Sequence, residues 1–105
     1  MALYFTPYFK RSFKRLSKHI QQIAWERLQV LENNPFHQSL HTHKLSHGEL
    51  WSARVDYKNR IIFIFLKNEQ GILLINIGVH SMYRNQQYNG GLKELKGSLI
   101  DLIPD

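Results

Sequence analysis

The chain has 105 residues, enough for one domain around a single core and too few for two. It contains no cysteine and no apolar run near the ~20 residues that cross a bilayer, which excludes disulfides, thiolate metal sites and membrane spans and makes a reducing cytoplasm the expected setting. A formal charge of +6 and a pI near 9.8 favour polyanionic or acidic partners, nucleic acid first and an acidic protein second.

The first residues, Met1 to Pro7, lack the charged start of a signal peptide. Tyr4-Phe5 reads as a short strand. Thr6-Pro7 is a helix start, a hydroxyl cap followed by a residue whose fixed φ suits the first helical position. Phe9, Phe13, Leu16 and Ile20 then recur at helical spacing, with Lys10, Arg11, Lys14, Arg15 and Lys18 on the other faces as a solvated basic surface or a phosphate-contacting rim. Ser17 caps a second predicted helix through Ile20, Ile23, Ala24, Leu28 and Leu31, which Asn33-Asn34-Pro35 ends. Trp25 and Val30 lie off that stripe, and a wide core face is expected to include them. Phe36 to Glu49 shows no period and reads as a long connection holding His37, His41, His43 and His47. Their irregular spacing and the absence of an acidic ligand among them argue against a dedicated metal site.

Three strands follow: Trp51 to Val55, Arg60 to Leu66 and Ile72 to Val79, β-branched and aromatic runs separated by turn residues. Pairing as a meander would let Arg54, Arg60 and His80 share one surface. Gln86 to Gly91 is a predicted joint. Leu92, Leu95, Leu99, Leu102 and Ile103 then suggest a short amphipathic helix, weakened by Gly97.

Gly48-Glu49-Leu50-Trp51-Ser52-Ala53-Arg54-Val55 followed by Arg60-Ile61-Ile62-Phe63 resembles the G-x-W-S-x-R-[VI]…R-[LIV]-[IV]-[FY] pattern of the RelE/ParE superfamily of toxin–antitoxin toxins, as seen in its YoeB and YafQ branches. Ile75-Asn76-Ile77-Gly78-Val79-His80 resembles the closing I-G-T-H of those branches, and His43-Lys44-Leu45-Ser46 the H-x-L-x-G that precedes the second strand, with Ser46-His47-Gly48 departing from the family spacing. The resemblance implies an α+β, RelE-like fold: a short N-terminal strand, two α-helices, then a three-stranded antiparallel meander in one sheet with the helices on one face. It spans a single domain, residues 1–105, with 85–105 as a C-terminal extension.

Many members of that superfamily are ribosome-dependent mRNA endonucleases that need no cofactor. RNA carries its own nucleophile, the 2′-hydroxyl, so such an enzyme needs a base, cations for the pentavalent phosphate and an acid for the leaving 5′-oxygen. The resemblance implies His80 as the acid, Arg60 as the phosphate-stabilising arginine and Arg54 as a second clamp. It offers His43 as the base, with Glu49 as the other choice. Tyr83 or Arg84 takes the place of the family's C-terminal aromatic. Lys10, Lys14, Lys44, Lys58 and Arg84 are the expected RNA-binding set. The implied partners are a cognate antitoxin and mRNA in the ribosomal A site, with its 16S rRNA contacts, and no membrane. Two alternatives stand beside this: a ParE-like gyrase inhibitor without nuclease chemistry, and a plain basic RNA-binding module.

Overall fold

A computed structural model describes residues 1–46, 48–67 and 71–79 of the chain. Within them run β1 (Ala2–Phe5), α1 (Pro7–Arg15), α2 (Lys18–Asn33), a 3-10 turn at Gln38–Leu40, β2 (His43–Lys44), β3 (Trp51–Arg54), β4 (Asn59–Leu66) and β5 (Gly71–Val79). One sheet holds the strands in the order β1-β5-β4-β3-β2. β2 to β5 form an antiparallel meander, and β1 closes the far edge by pairing parallel with β5. The fold is α+β, with two helices and a mixed sheet.

The helix starts follow from their caps. The Thr6 Oγ1 accepts from the Phe9 N–H at 3.0 Å and donates to the Leu74 carbonyl at 2.9 Å. One buried hydroxyl thus begins α1 and fastens it to β5. The Ser17 Oγ accepts from the Ile20 N–H at 3.2 Å and begins α2. Both satisfy N–H groups that a helix leaves without intrahelical partners. At the other end of the helix layer, Arg27 on α2 donates to the Val55 carbonyl at 3.3 Å, tying it to the β3–β4 turn.

The central strands are apolar on both faces, and the two sets separate cleanly. Ala53, Val55, Ile61, Phe63, Ile72, Leu74 and Ile77 pack with Phe9 of α1 and Ala24, Leu28 and Leu31 of α2. Leu50, Ile62, Ile64, Leu66, Leu73 and Ile75 form a second buried cluster on the opposite face, flanked by Tyr4 and Leu45. A register shift between Ile62 and Phe63 sets a bulge in the β4–β5 ladder. Leu74 and Ile77, three residues apart, consequently both enter the helix-side core.

Three expectations need correction. The meander has a fourth strand, β2, and Phe36 to Glu49 is not formless: Leu40 of its 3-10 turn is fully buried, and His43–Lys44 pair with Trp51 and Ser52. The pairing is only two residues long, too short to leave a period in the sequence. Trp25 does not join a wide core face; it is 55% exposed on α2, whereas Val30 is half-buried against the core. The predicted helix through Leu92 to Ile103 lies outside the described residues.

Replacing Thr6 with Val keeps the shape but removes every hydrogen bond of the buried hydroxyl, the bond accepted from the Phe9 N–H and the proton shared between the Leu74 and Ile75 carbonyls. Urea unfolding is expected to show a loss of roughly 2–3 kcal/mol. Replacing the exposed Ser17 with Ala should cost about 1 kcal/mol or less.

Candidate nucleic-acid interface

The strand register decides which side chains share a surface. Arg54 on β3 is the direct partner of Arg60 on β4, and Arg60 is the partner of Gly78 on β5. One step along, His43 pairs with Ser52, Ser52 with Ile62, and Ile62 with Asn76. Ile62 belongs to the cluster facing away from the helices, so these two rows lie on that face, at the end where β3 and β4 turn. Directly opposed residues in an antiparallel pair have Cβ atoms about 4.5–5.5 Å apart, and diagonal ones are separated by about 7–8 Å. Two guanidinium groups and an imidazole thus share one face of the sheet, with Arg54 and His43 exposed, Arg60 half-buried, and Ser52, Ile62 and Asn76 of the adjoining row buried.

Arg60 is held in place. Its Nη1 donates to the carbonyls of Asp56 at 2.7 Å, Asn59 at 3.1 Å and Tyr57 at 3.3 Å, so the side chain curls over the β3–β4 turn. No hydrogen bond engages its Nε or Nη2 among the described residues. The turn is shaped by Asp56, whose Oδ1 accepts from the Lys58 N–H at 2.9 Å, the Asn59 N–H at 2.7 Å and the Asn59 amide at 3.1 Å. Burial pushes the Asp56 carboxyl up, but the hydrogen bonds from Asn59 and Lys58 and the nearby Arg60 charge outweigh it and hold the pKa below its ordinary value of 3.8. Its carboxylate is directed to turn amides and makes no ion pair with Arg54 or Arg60. Arg54 is exposed and has no polar partner among the described residues. Like charges directly opposed across strands cost up to about 1 kcal/mol, so this pair is built for something other than stability.

His43 is exposed on the edge strand, and its Nδ1 lies 3.0 Å from the His41 carbonyl. A carbonyl only accepts, so in neutral imidazole this bond puts the proton on Nδ1 and leaves Nε2 as a base. His41 supplies that carbonyl from a left-handed backbone, φ 47°, uncommon for a residue with a side chain.

The other expected residues disperse. Lys58 is exposed on the turn beside Arg60. Lys44 pairs with Trp51, whose ring packs on the helix-side core, so it lies on the other face of the edge strand. Lys10 and Lys14 are exposed on α1, across the sheet from the arginines. His80, Tyr83 and Arg84 lie outside the described residues, as does His47. Glu49 is exposed between β2 and β3. Among the described residues no group of three His, Asp or Glu side chains could hold a metal ion, and no helix is long and apolar enough to cross a membrane.

Sequence reasoning registers Asp56 only as an acid near the two arginines and passes over Tyr57. The first is legible in retrospect as a turn former, Asp-Tyr-Lys-Asn, of the type that folds its carboxylate onto its own backbone. Tyr57, 88% exposed at the tip of that turn, carries no sequence signal separating it from an ordinary loop tyrosine.

No protein-family model matches the chain, and no curated protein matches it. Solved structures do. A YoeB/ParE toxin from Agrobacterium tumefaciens superposes with a TM-score of 0.65 at 16% identity, covering 76% of this chain and 99% of that one. YafQ from E. coli strain BL21(DE3) gives 0.64 at 15% identity, over 76% and 93%. RelE from Pyrococcus horikoshii OT3, solved as a RelE–RelB complex, gives 0.63 at 17% identity, over 74% and 92%. The chain has the fold of the RelE/ParE toxin superfamily.

Because the Asp56 pKa is lower in the folded chain than in the unfolded one, its carboxylate stabilises the fold above the ordinary carboxylate range. That contribution is lost as the pH falls through the lowered value. Asp56→Asn keeps an oxygen acceptor but not the charge. Melting curves should therefore show it less stable than wild type near neutrality, with the gap closing as the pH falls below the ordinary carboxylate range and through the lowered value.

Proposed function

We propose that this chain is the toxin of a toxin–antitoxin pair and cleaves mRNA on the ribosome without a metal ion. The observation that carries the reading is the directly opposed arginine couple, Arg54 across from Arg60, on the sheet face that also carries His43. Such a pair suits a doubly coordinated phosphate, because guanidinium groups present planar forks of donors that match two oxygens at once. The superfamily fold and the sequence resemblance supply the rest.

In the proposed reaction His43 takes the proton of the 2′-hydroxyl through Nε2. The 2′-oxygen attacks phosphorus, and Arg54 and Arg60 neutralise the charge that builds on the pentavalent phosphate. The bond from phosphorus to the 5′-oxygen breaks, and the leaving oxygen takes a proton from His80. The products are a 2′,3′-cyclic phosphate and a free 5′-hydroxyl. His80 holds its role on the resemblance alone, as do Tyr83 and Arg84. Arg60 enters this step already fixed by three carbonyls, which lowers the ordering cost at the moment of reaction.

The partner is an antitoxin that places acidic side chains over the arginines. The RelE neighbour, solved as a complex with RelB, and the YoeB–YefM complex from Staphylococcus aureus support a protein partner of this kind. A second reading has its own support, since one neighbour is described as a YoeB/ParE toxin: a gyrase inhibitor that uses the same face without chemistry.

Primer extension on mRNA in a reconstituted translation system separates the readings. Wild type should leave 2′,3′-cyclic ends, and Arg60→Ala and His80→Ala should each cut roughly 100-fold more slowly or worse. Cutting at wild-type rates by both variants ends the assignment. Blocked supercoiling by gyrase with no cut RNA supports the second reading. Lys10→Gln with Lys14→Gln should weaken binding to all RNA sequences alike and flatten its salt dependence, leaving the rate on saturated ribosomes near wild type.

A further inference from the structure

The β3–β4 turn that holds Arg60 also carries the most exposed large apolar side chain among the described residues. Tyr57 is 88% exposed, against 60% for Phe36 and 55% for Trp25. Phe36 packs on Trp51 and Phe65, whereas the Tyr57 ring meets no partner among the described residues. A single apolar side chain on a surface is ordinary in itself. The backbone beneath this one is not. Its carbonyl accepts from the Arg60 Nη1 at 3.3 Å, so the guanidinium and the residue bearing the ring form one unit. The peptides on each side are fixed as well. The Asp56 Oδ1 accepts from the Lys58 N–H at 2.9 Å and the Asn59 N–H at 2.7 Å, and the Asn59 carbonyl accepts from the Val55 N–H at 3.0 Å. A rigid turn thus ends in a free ring. Only the side-chain torsions of Tyr57 need ordering when a ligand arrives, and a tyrosine has two of them for a large contact area.

The charge around the ring points to the kind of ligand. Lys58 follows Tyr57 and is exposed, Arg60 is bonded to its carbonyl, and Arg54 stands directly opposite Arg60. The acid of this turn, Asp56, has its carboxylate directed onto the turn amides. Cations beside a neutral aromatic face are the combination that grips a single nucleic-acid strand. The cations take phosphates, and the ring takes a base, since every base has a π-face. Carboxylates of a protein partner would answer the cations and leave the ring without a contact.

We propose that Tyr57 is a base-stacking residue: the nucleobase adjoining the phosphate held by Arg54 and Arg60 lies on its ring. That phosphate and that base are one sugar apart in the strand, and Arg60 and Tyr57 are joined at 3.3 Å in the chain, so one nucleotide can engage both. Stacking does not read the edges of a base. Tyr57 therefore adds affinity and steadies the strand against the arginines, and the sequence preference it confers is weak. The inference deepens the proposed function and rests on it for RNA as the ligand, but it needs no cutting.

Fluorescence anisotropy on the full chain at low salt tests it with two labelled strands. One is a 2′-O-methyl oligoribonucleotide, which has no free 2′-hydroxyl and cannot be cut by the proposed reaction. The other is a matched abasic strand, which keeps the phosphates and lacks the bases. Wild type should bind the base-bearing strand more tightly. Tyr57→Ala should lose roughly 5- to 100-fold on that strand and about twofold or less on the abasic one, with the salt slope, which counts phosphate contacts, unchanged. Tyr57→Phe should restore the binding, because the ring is what stacks. The exposed ring supports no packing, so Tyr57→Ala should melt within a few degrees of wild type. Equal loss on both strands, no loss on either, or equal binding of the two strands by wild type overturns the proposal. If wild type cuts mRNA and the strand test fails, the nuclease reading stands and the stacking role falls. If mRNA is not cut and Tyr57→Ala loses only the base-bearing strand, the stacking role stands and the nuclease reading falls.

Discussion

β4 and β5 are apolar on both sides, and that single constraint orders the rest of the molecule. A strand pair with only one apolar face can leave the other to water. Ile61, Phe63, Ile72 and Leu74 on one side, with Ile62, Ile64, Leu73 and Ile75 on the other, cannot. At ~25 cal/mol per Å² of apolar surface, each such side chain favours burial by roughly 1.5–3 kcal/mol, so two covering layers are demanded. The helices provide one. Polar function is displaced to the one end of the sheet where neither layer needs to reach, the β3–β4 turn and the end of β5.

At that end the chain tolerates an electrostatic arrangement that packing alone would not select. Two arginines oppose one another with no acid between them. The acid closest in sequence, Asp56, is directed instead to the turn amides and acts on Arg60 through shape: it forms the loop whose carbonyls hold the guanidinium. Positive potential is thus kept unneutralised while its geometry is fixed. A dianionic transition state or an acidic segment of a partner would relieve the same repulsion, so under the proposed function one surface would serve both phosphate chemistry and its own silencing by a protein.

How much of this could be read in the sequence follows the strength of each local signal. The caps Thr6 and Ser17 and the β-branched runs are short-range features, and they place α1, α2 and β3 to β5 where they are expected. Arg54 and Arg60 could be named from their strands, but their direct opposition is a matter of register, which depends on the length of the Asp56–Lys58 turn and on the packing beneath. β2 leaves no trace because two residues cannot show an alternation. The bulge near Ile62 is equally silent: the unmatched residue, Ile75 of β5, sits in a run of Ile and Leu that alternates in no visible way. In the sequence, the resemblance alone singles His43 out from the three other histidines of its segment. Its distinction comes from pairing with Ser52 and from the His41 carbonyl that fixes its tautomer.

The basic charge is also divided in a way that composition cannot express. Lys10, Arg11, Lys14 and Arg15 are carried by α1 on the helix layer, whereas Arg54, Arg60 and Lys58 lie on or beside the opposite face. Layers in such a fold stand about 10 Å apart, close to one Debye length at 0.1 M salt, so the two groups cannot grip the same phosphate. They can act on the same polyanion only if it is large enough to present phosphates to both sides. A single oligonucleotide strand in the arginine site leaves α1 outside its reach. Under the proposed function, a folded RNA surface surrounding the domain would engage both, and the distribution of cations over this chain is compatible with that larger target.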